Sequence, residues 1–199
     1  MELFDRYRVE LDDAEVEIWP GFASAARADE LFGALAREID WRQDTITVFG
    51  RTSPIPRLNA WYGDDGCSYR YSNISLEPQP WTRTLAAVRD DVGSACGVVF
   101  NSVLANLYRD GRDGVAWHAD DEPELGPEPV IGSLSLGATR TFQLRRRDDP
   151  SKRHSIELAH GDLAIMRGPT QRHWLHQIPK TTRPTAPRLN LTFRQVFAF

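Results

Sequence analysis

The 199-residue sequence has two cysteines, Cys67 and Cys96, and no run of eighteen consecutive apolar residues. Two cysteines cannot build a disulfide framework, and their separation fits no four-ligand zinc site. They are expected as free thiols in a reducing compartment. Without a long apolar run, no helical membrane span is expected. Met1 leads into ELFDRYRVE rather than a basic stretch followed by an apolar one, so no secretory leader is expected either. The expected location is cytoplasmic, or nuclear in a eukaryotic cell. An excess of positive charge is also missing: 24 Lys and Arg against 28 Asp and Glu leave a net charge of −4. A polyanionic partner would have to meet a local basic patch, because the overall field does not attract it. Repeats and low-complexity tracts are absent too. What is present, 41% hydrophobic and 26% charged residues, is the composition of an ordinary globular chain long enough to bury one core.

Residues 24–39, SAARADELFGALAREI, put Leu31, Phe32, Leu35 and Ile39 on one helical face, with Ser24 as N-cap. A second helix is expected from Trp81 to Ala95, burying Leu85, Val88 and Val92, with Gly93 and Gly97 marking its end. Residues 45–76 between them read as short strands and turns. From Val98 onward the strand signals recur in VVFNSVLANLYR, VIGSLSLG, TRTFQLRRR, HSIELAHGDLAIM, HWLHQIP and RLNLTFRQVFAF. Strands at this spacing suggest a sandwich or barrel. The expected fold class is α+β, a double-stranded β-helix (jelly-roll) core with helices over one sheet. A single domain over 1–199 is expected, with 1–97 supplying the helices and a lid and 98–199 the core.

The stretch GVAWHADDE, residues 114–122, raises the question of a metal site through His118 and Asp120. Five His and 28 acidic residues give roughly 0.7 such His-x-acid pairs by chance, so the pair alone carries little. Alternation along strands adds more. In RLNLTFR, Arg188, Asn190, Thr192 and Arg194 share one face, and Leu189, Leu191 and Phe193 the other. The polar face either meets solvent or lines a cavity, where two arginines would need an anion such as a dicarboxylate. Asn106 and Tyr108 share a face of VLANLYR and could add hydrogen bonds, although Tyr108 could equally be a core tyrosine. In QRHWLHQIPK, His173 lies on one strand face and His176 on the other. A histidine here would complete a two-His-one-carboxylate triad, the ligand set of non-haem Fe(II) centres that activate O₂.

These motifs, in this order along the chain, resemble the AlkB family of Fe(II)- and 2-oxoglutarate-dependent dioxygenases, especially members that repair alkylated double-stranded DNA. The likeness covers about Val48 to Phe197 and rests on NLYRDGRDGVAWHADDE, AHGDLAIM, HWLHQIP and APRLNLTFR. It implies that His118, Asp120 and His176 bind Fe(II), with His176 chosen over His173 by its place before QIP. It implies that Asn106, Tyr108, Arg188, Asn190, Thr192 and Arg194 surround 2-oxoglutarate, with Arg188 on the distal carboxylate and Arg194 near the iron. The VFGR turn resembles a hairpin inserted into the base stack, so Phe49 would fill the gap left by a flipped base, beside Gly50 and Arg51. A strand-core role for Phe49 is the plain alternative.

The resemblance further implies a base-binding lid formed by the segments that carry Arg57 and Tyr62 and Tyr69 to Tyr71, with Arg57, Tyr69, Arg70 and Tyr71 at the base and Tyr71 stacking on it opposite His118. Tyr69 and Asp121 would bond near its exocyclic group, with Glu122 behind. RRRDDPSKRH, residues 145–154, is either a solvated hairpin tip or a grip on the phosphates of the undamaged strand. The implied reaction is oxidative demethylation of 1-methyladenine and 3-methylcytosine in DNA, duplex favoured, by a monomer using Fe(II), 2-oxoglutarate and O₂ and releasing formaldehyde. The alternatives are the same chemistry on RNA or protein, or a non-catalytic nucleic-acid-binding scaffold.

Overall fold

A computed structural model of the chain describes residues 6–197 except 49, 68, 72, 73, 77 and 184; the side chains of 48, 69–71 and 74–76 lie outside that description. The chain opens with β1 (Tyr7–Val9), β2 (Glu15–Trp19) and helix α1 (Ala25–Glu38). A hairpin of β3 (Thr45–Val48) and β4 (Arg51–Pro54) follows, then β5 (Leu58–Gly63) and a second hairpin of β6 (Tyr69–Tyr71) and β7 (Ile74–Leu76). Helix α2 (Arg83–Cys96) leads to β8 (Ser102–Tyr108), β9 (Val115–His118) and a 3-10 turn at Pro123–Leu125. The remainder is β10 (Ile131–Gly137), β11 (Arg140–Arg146), β12 (Arg153–Leu158), β13 (Leu163–Arg167), the one-turn helix α3 (Thr170–His173), β14 (Trp174–Ile178) and β15 (Arg188–Arg194).

Two antiparallel sheets form the jelly-roll core. The major sheet runs β1-β2-β13-β10-β15-β8-β5 and the minor sheet β12-β11-β14-β9. N-terminal residues enter the core sheet as well: β2, in a stretch where no strand was expected, pairs with β13, and β5, expected in the lid, pairs with β8. Side-chain alternation divides the major sheet into two faces. Leu134, Leu136, Leu189, Leu191 and Phe193 pack with the helices, while Ile131, Ala164 and Met166 pack with Phe142, Leu144, Trp174 and Ile178 of the minor sheet. Among the described residues no helix is long and apolar enough to cross a membrane.

Both helices start where a hydroxyl can take an orphan N–H. Ser24 Oγ accepts from Arg27 N and Thr82 Oγ1 from Leu85 N. The second cap moves the start of α2 from Trp81 to Arg83; the Trp81 indole instead donates to Asp64 Oδ1 at 2.7 Å. Gly93 is not an end signal. It lies within α2, where a Cβ would approach Val98 O to 2.7 Å, so the bare backbone lets the chain return over its own helix. Gly97 is the stop, left-handed at φ 71°. Each fully buried Leu or Val on these helices contributes roughly 1.5–3 kcal/mol relative to exposure. That outweighs the ~1 kcal/mol helix penalty of Gly33 or Gly93.

The two outer glycines should therefore respond oppositely to alanine. Gly97→Ala has open space but the wrong backbone region, and it should destabilise by about 1 kcal/mol. Gly33→Ala would meet only Arg37 Nη1 at 3.6 Å and should stabilise by about 0.5–1 kcal/mol. Urea midpoints at unchanged m-value measure both.

Candidate active site

His118 is the last residue of β9, and its register partner on β14 is His176. This pairing brings the imidazoles to a ring-centroid distance of 4.2 Å. Asp120 lies two residues beyond the strand, and the ligand atoms of all three side chains fall within 4.8 Å of one another. His118 Nδ1 is 2.8 Å from Ala116 O, a carbonyl that can only accept, so the proton sits on Nδ1 and Nε2 keeps its lone pair. Asp120 Oδ1 accepts from Arg194 Nη2 at 2.8 Å, while Oδ2 is buried without a hydrogen-bond partner among the described residues. Burial pushes the Asp120 carboxyl up, but Arg194 and the two imidazoles pull it down to about 2. Burial and the nearby His118 push His176 down to about 3, which keeps its ring neutral. An anionic carboxylate with one orphaned oxygen beside two imidazoles fits a divalent cation. His173 is not part of this group: it belongs to α3, a helical turn where strand alternation does not apply.

The polar face of β15 turns inward. Arg188, Asn190 and Thr192 are buried, and the Arg194 side chain is 14% exposed. The register lines Asn190 up with Asn106 on one side and Ser135 on the other, and Thr192 with Ser133. Asn190 Nδ2 donates to Ser133 Oγ and Leu134 O, and Thr192 Oγ1 donates to Asn190 Oδ1. Arg188 Nη2 donates to Ser135 Oγ at 2.9 Å, yet its Nε and Nη1 are buried with no hydrogen bond among the described residues. Burial pushes this guanidinium below its ordinary range, and Tyr108, whose ring lies 5.2 Å away, offsets part of that. A buried cation with unused donors is shaped for an anion.

Three residues of the pocket were not singled out from sequence. Ser133 and Ser135 alternate with Leu134 and Leu136 in the same manner as the polar residues of β15, and that signal was available. Arg140 is 4% exposed, donates to Asp110 O, Asp113 O and Pro179 O, and stands 5.7 Å from the Tyr108 ring. Its place among Phe142 and Leu144 on alternate positions marks it as inward-facing.

The residues expected at the base separate. Arg57 Nε donates to Asn106 Oδ1 at 2.8 Å, which joins it to the β15 pocket. Tyr62 is not in a lid: it is 3% exposed in the helix-side core, and its hydroxyl accepts from Asp40 N. Asp121 and Glu122 follow Asp120 directly, with Asp121 Oδ2 2.5 Å from Arg147 Nη2. Gly50 (φ 74°) and Arg51 occupy the turn and start of the β3–β4 hairpin, whose β4 strand is exposed throughout. Phe49 and the side chains of Tyr69, Arg70 and Tyr71 lie outside the described residues.

The basic stretch 145–154 ends β11, forms a largely exposed turn and begins β12, and three of its cations are already paired with acidic side chains. Arg146 is bonded to Asp13 and Asp148, Lys152 to Asp12, and Arg147 to Asp121. Arg145 covers the Trp117 ring at 4.5 Å, which accounts for the aromatic residue before the first histidine.

A jelly-roll whose inner faces hold a two-His-one-carboxylate cluster and a buried arginine defines a scaffold for a non-haem iron oxygenase. The comparisons agree. Residues 15–194 match the family model of the 2OG-Fe(II) oxygenase superfamily. The chain is 43% identical over 193 residues to alpha-ketoglutarate-dependent dioxygenase alkB homolog 3 of Bos taurus, covering 92% of this chain and 67% of that protein. It is 42% identical over 181 residues to DNA oxidative demethylase ALKBH2 of Homo sapiens, covering 86% and 69%. The solved structure of OsALKBH1 matches with a TM-score of 0.68 at 18% identity, over 95% of this chain and 100% of that one, a likeness of fold. The chain belongs to the AlkB branch of the 2OG-Fe(II) oxygenases, enzymes that use Fe(II), 2-oxoglutarate and O₂.

Acid should unfold the metal-free protein through this site. The folded values of His176 and Asp120 are both lowered, so the unfolded chain takes up those protons first. Their contribution is complete above the ordinary histidine value of 6.5 and is lost as pH falls toward about 3 for His176 and about 2 for Asp120. Urea midpoints should fall steadily below about pH 6.5. They should fall less steeply for His176→Leu, and parallel slopes would contradict a buried neutral His176.

Proposed function

We propose that the chain is a direct-reversal DNA dealkylase acting on N-alkylated bases such as 1-methyladenine and 3-methylcytosine. The observation that carries the reading is the pairing, inside one jelly-roll, of the His118–Asp120–His176 cluster with the buried and incompletely bonded Arg188. The DNA substrate is supported by the named activity of the ALKBH2 relative. Duplex DNA is the favoured form and the protein acts as a monomer.

His118, Asp120 and His176 would hold Fe(II). Arg188 would take the distal carboxylate of 2-oxoglutarate, with Tyr108, Asn106, Asn190 and Thr192 lining its length and Arg194 at the metal end. When bound, the iron supplies the oxidation by O₂: one oxygen atom enters 2-oxoglutarate, which leaves as succinate and CO₂, and the other enters a methyl C–H bond. The hydroxymethyl group on nitrogen then leaves as formaldehyde: the hydroxyl proton is released, and the C–N bonding pair returns to the base nitrogen as the lone pair it uses in pairing.

The chain's residues prepare these steps. Arg194 keeps Asp120 anionic, and the Ala116 carbonyl commits His118 to one tautomer. Asn190 is fixed by Ser133 and Leu134, so the wall of the cosubstrate pocket is set before a ligand arrives. Asp121 sits next in sequence to the metal carboxylate and would accept from the exocyclic amino group of the base, with Arg57, Tyr69, Arg70, Tyr71 and Glu122 around it. The damaged nitrogen lies on the pairing edge, so the base must leave the stack. Phe49, Gly50 and Arg51 would fill the gap, and a lesion that already blocks pairing lowers the cost of flipping.

Protein purified without oxygen and given Fe(II), 2-oxoglutarate and a duplex containing 1-methyladenine should, once air is admitted, release one methyl per lesion by mass spectrometry. Succinate without demethylation would redirect the search to RNA or protein. Asp120→Ala should abolish both products, and Phe49→Ala should reduce duplex repair more than single-strand repair; equal losses would remove Phe49 from its wedge role. Arg188→Met should weaken 2-oxoglutarate binding by about 100-fold, since truncating one partner of a buried charge pair costs ~2–5 kcal/mol. Without ligand the same variant should be no less stable than the parent, because an apolar side chain has no charge to desolvate. Calorimetric titration and thermal melts check the two halves.

A further inference from the structure

We infer that Gln171 is a positioning residue for Asp120 and thereby sets the metal affinity of the site, an inference that rests on the metal-site reading above. The strand β9 stops at His118, so the ladder with β14 ends before Asp120 is reached. The Asp120 N–H is buried at that point and needs a partner from elsewhere. Gln171 supplies it: Oε1 accepts from Asp120 N at 3.0 Å, in the place a further strand carbonyl would take. With the backbone held there and Oδ1 held by Arg194, the free Oδ2 is left toward the two imidazoles.

Gln171 is itself fixed. It is 2% exposed, its Nε2 lies 3.3 Å from Met166 Sδ, and its carbonyl accepts from Arg147 Nη2 at 3.1 Å. The neighbouring Thr170 ties the turn to two strands of the major sheet. Its hydroxyl accepts from Glu15 N at 2.8 Å and donates to Arg167 O at 2.5 Å. The helical turn α3 therefore stands between the strand that carries His176 and the residue that follows His118. It gives the third ligand a rigid support that neither strand provides. Groups that orient metal ligands in this way typically change metal affinity 10- to 100-fold when removed.

The test is anaerobic titration of metal-free protein with Fe(II), and separately with Co(II), whose visible absorption reports the coordination geometry. The parent protein must bind one ion per chain; if it binds none, the metal-site reading fails and no variant is informative about Gln171. Gln171→Leu, which has no acceptor, should raise the dissociation constant by about 10- to 100-fold and change the Co(II) band shape. Met166→Leu, which removes the contact at the other end of the same amide, should bind as the parent does. Should Gln171→Leu not fold, Gln171→Met carries the same expectation, being of similar length and lacking the acceptor. A folded Gln171 variant with parental affinity and spectrum would overturn the inference. So would an equal loss in Met166→Leu, because the effect would then be one of packing.

Discussion

Arg188 is a guanidinium with 1% of its surface exposed, and two of its nitrogens have no hydrogen bond among the described residues. Removing such a charge from water costs several kcal/mol unless something inside repays it. In the folded chain the repayment is partial: one hydroxyl bond from Ser135 and the ring of Tyr108. The remainder of the inner face is arranged around this deficit. Ser133, Asn190 and Thr192 satisfy one another, so Arg188 is the group left wanting an anion. Arg140, also near the Tyr108 ring, donates instead to three backbone carbonyls. A pocket that leaves one buried cation underbonded suits a carboxylate, and its rigidity follows from the bonds that the neighbours do make.

The metal cluster depends on the same architecture from the opposite sheet. His118 and His176 are presented by a strand pair of the minor sheet. The oxygen of Asp120 that is not free is held by Arg194 of the major sheet. The third ligand is therefore held by both layers of the sandwich, and a shift of one sheet against the other would move Asp120 relative to the histidines. This is where the compact packing of Phe142, Leu144, Ile131 and Met166 between the layers acquires a chemical purpose.

How much of this was legible in the sequence follows from which interactions are local. Alternation in RLNLTFR is a property of seven consecutive residues, and the strand keeps it: the leucines face the helices and the polar residues the interior. Helix α1 was legible for the same reason, with its cap and its stripe inside one window. His173 was misread as strand because a single helical turn has no period to detect, and only its tertiary anchors at Glu15 and Arg167 define it. The strand β2 escaped notice because it is held in the sheet by β13, some 150 residues away, and β1 joins the sheet only through β2. The charge of RRRDDPSKRH could be counted but not assigned, since Asp12 and Asp13 neutralise it from the other end of the chain.

Those pairings bear on how a polyanion could be held. Exposed ion pairs contribute little to stability and are screened by salt, so a phosphate can replace Asp12 at Lys152 at small net cost. For the same reason the exchange yields small net affinity: each cation begins with a partner, and the displaced carboxylate stays nearby as a like charge to the incoming phosphate. With a net charge of −4 the wider field adds no attraction. Discrimination then rests, in the function proposed above, on the site itself, with Asp121 next in sequence to Asp120 as the acceptor and a damaged base the easiest one to expel from the stack. A weak hold on the backbone suits that division, because an enzyme that examines many intact bases gains nothing from binding each of them tightly.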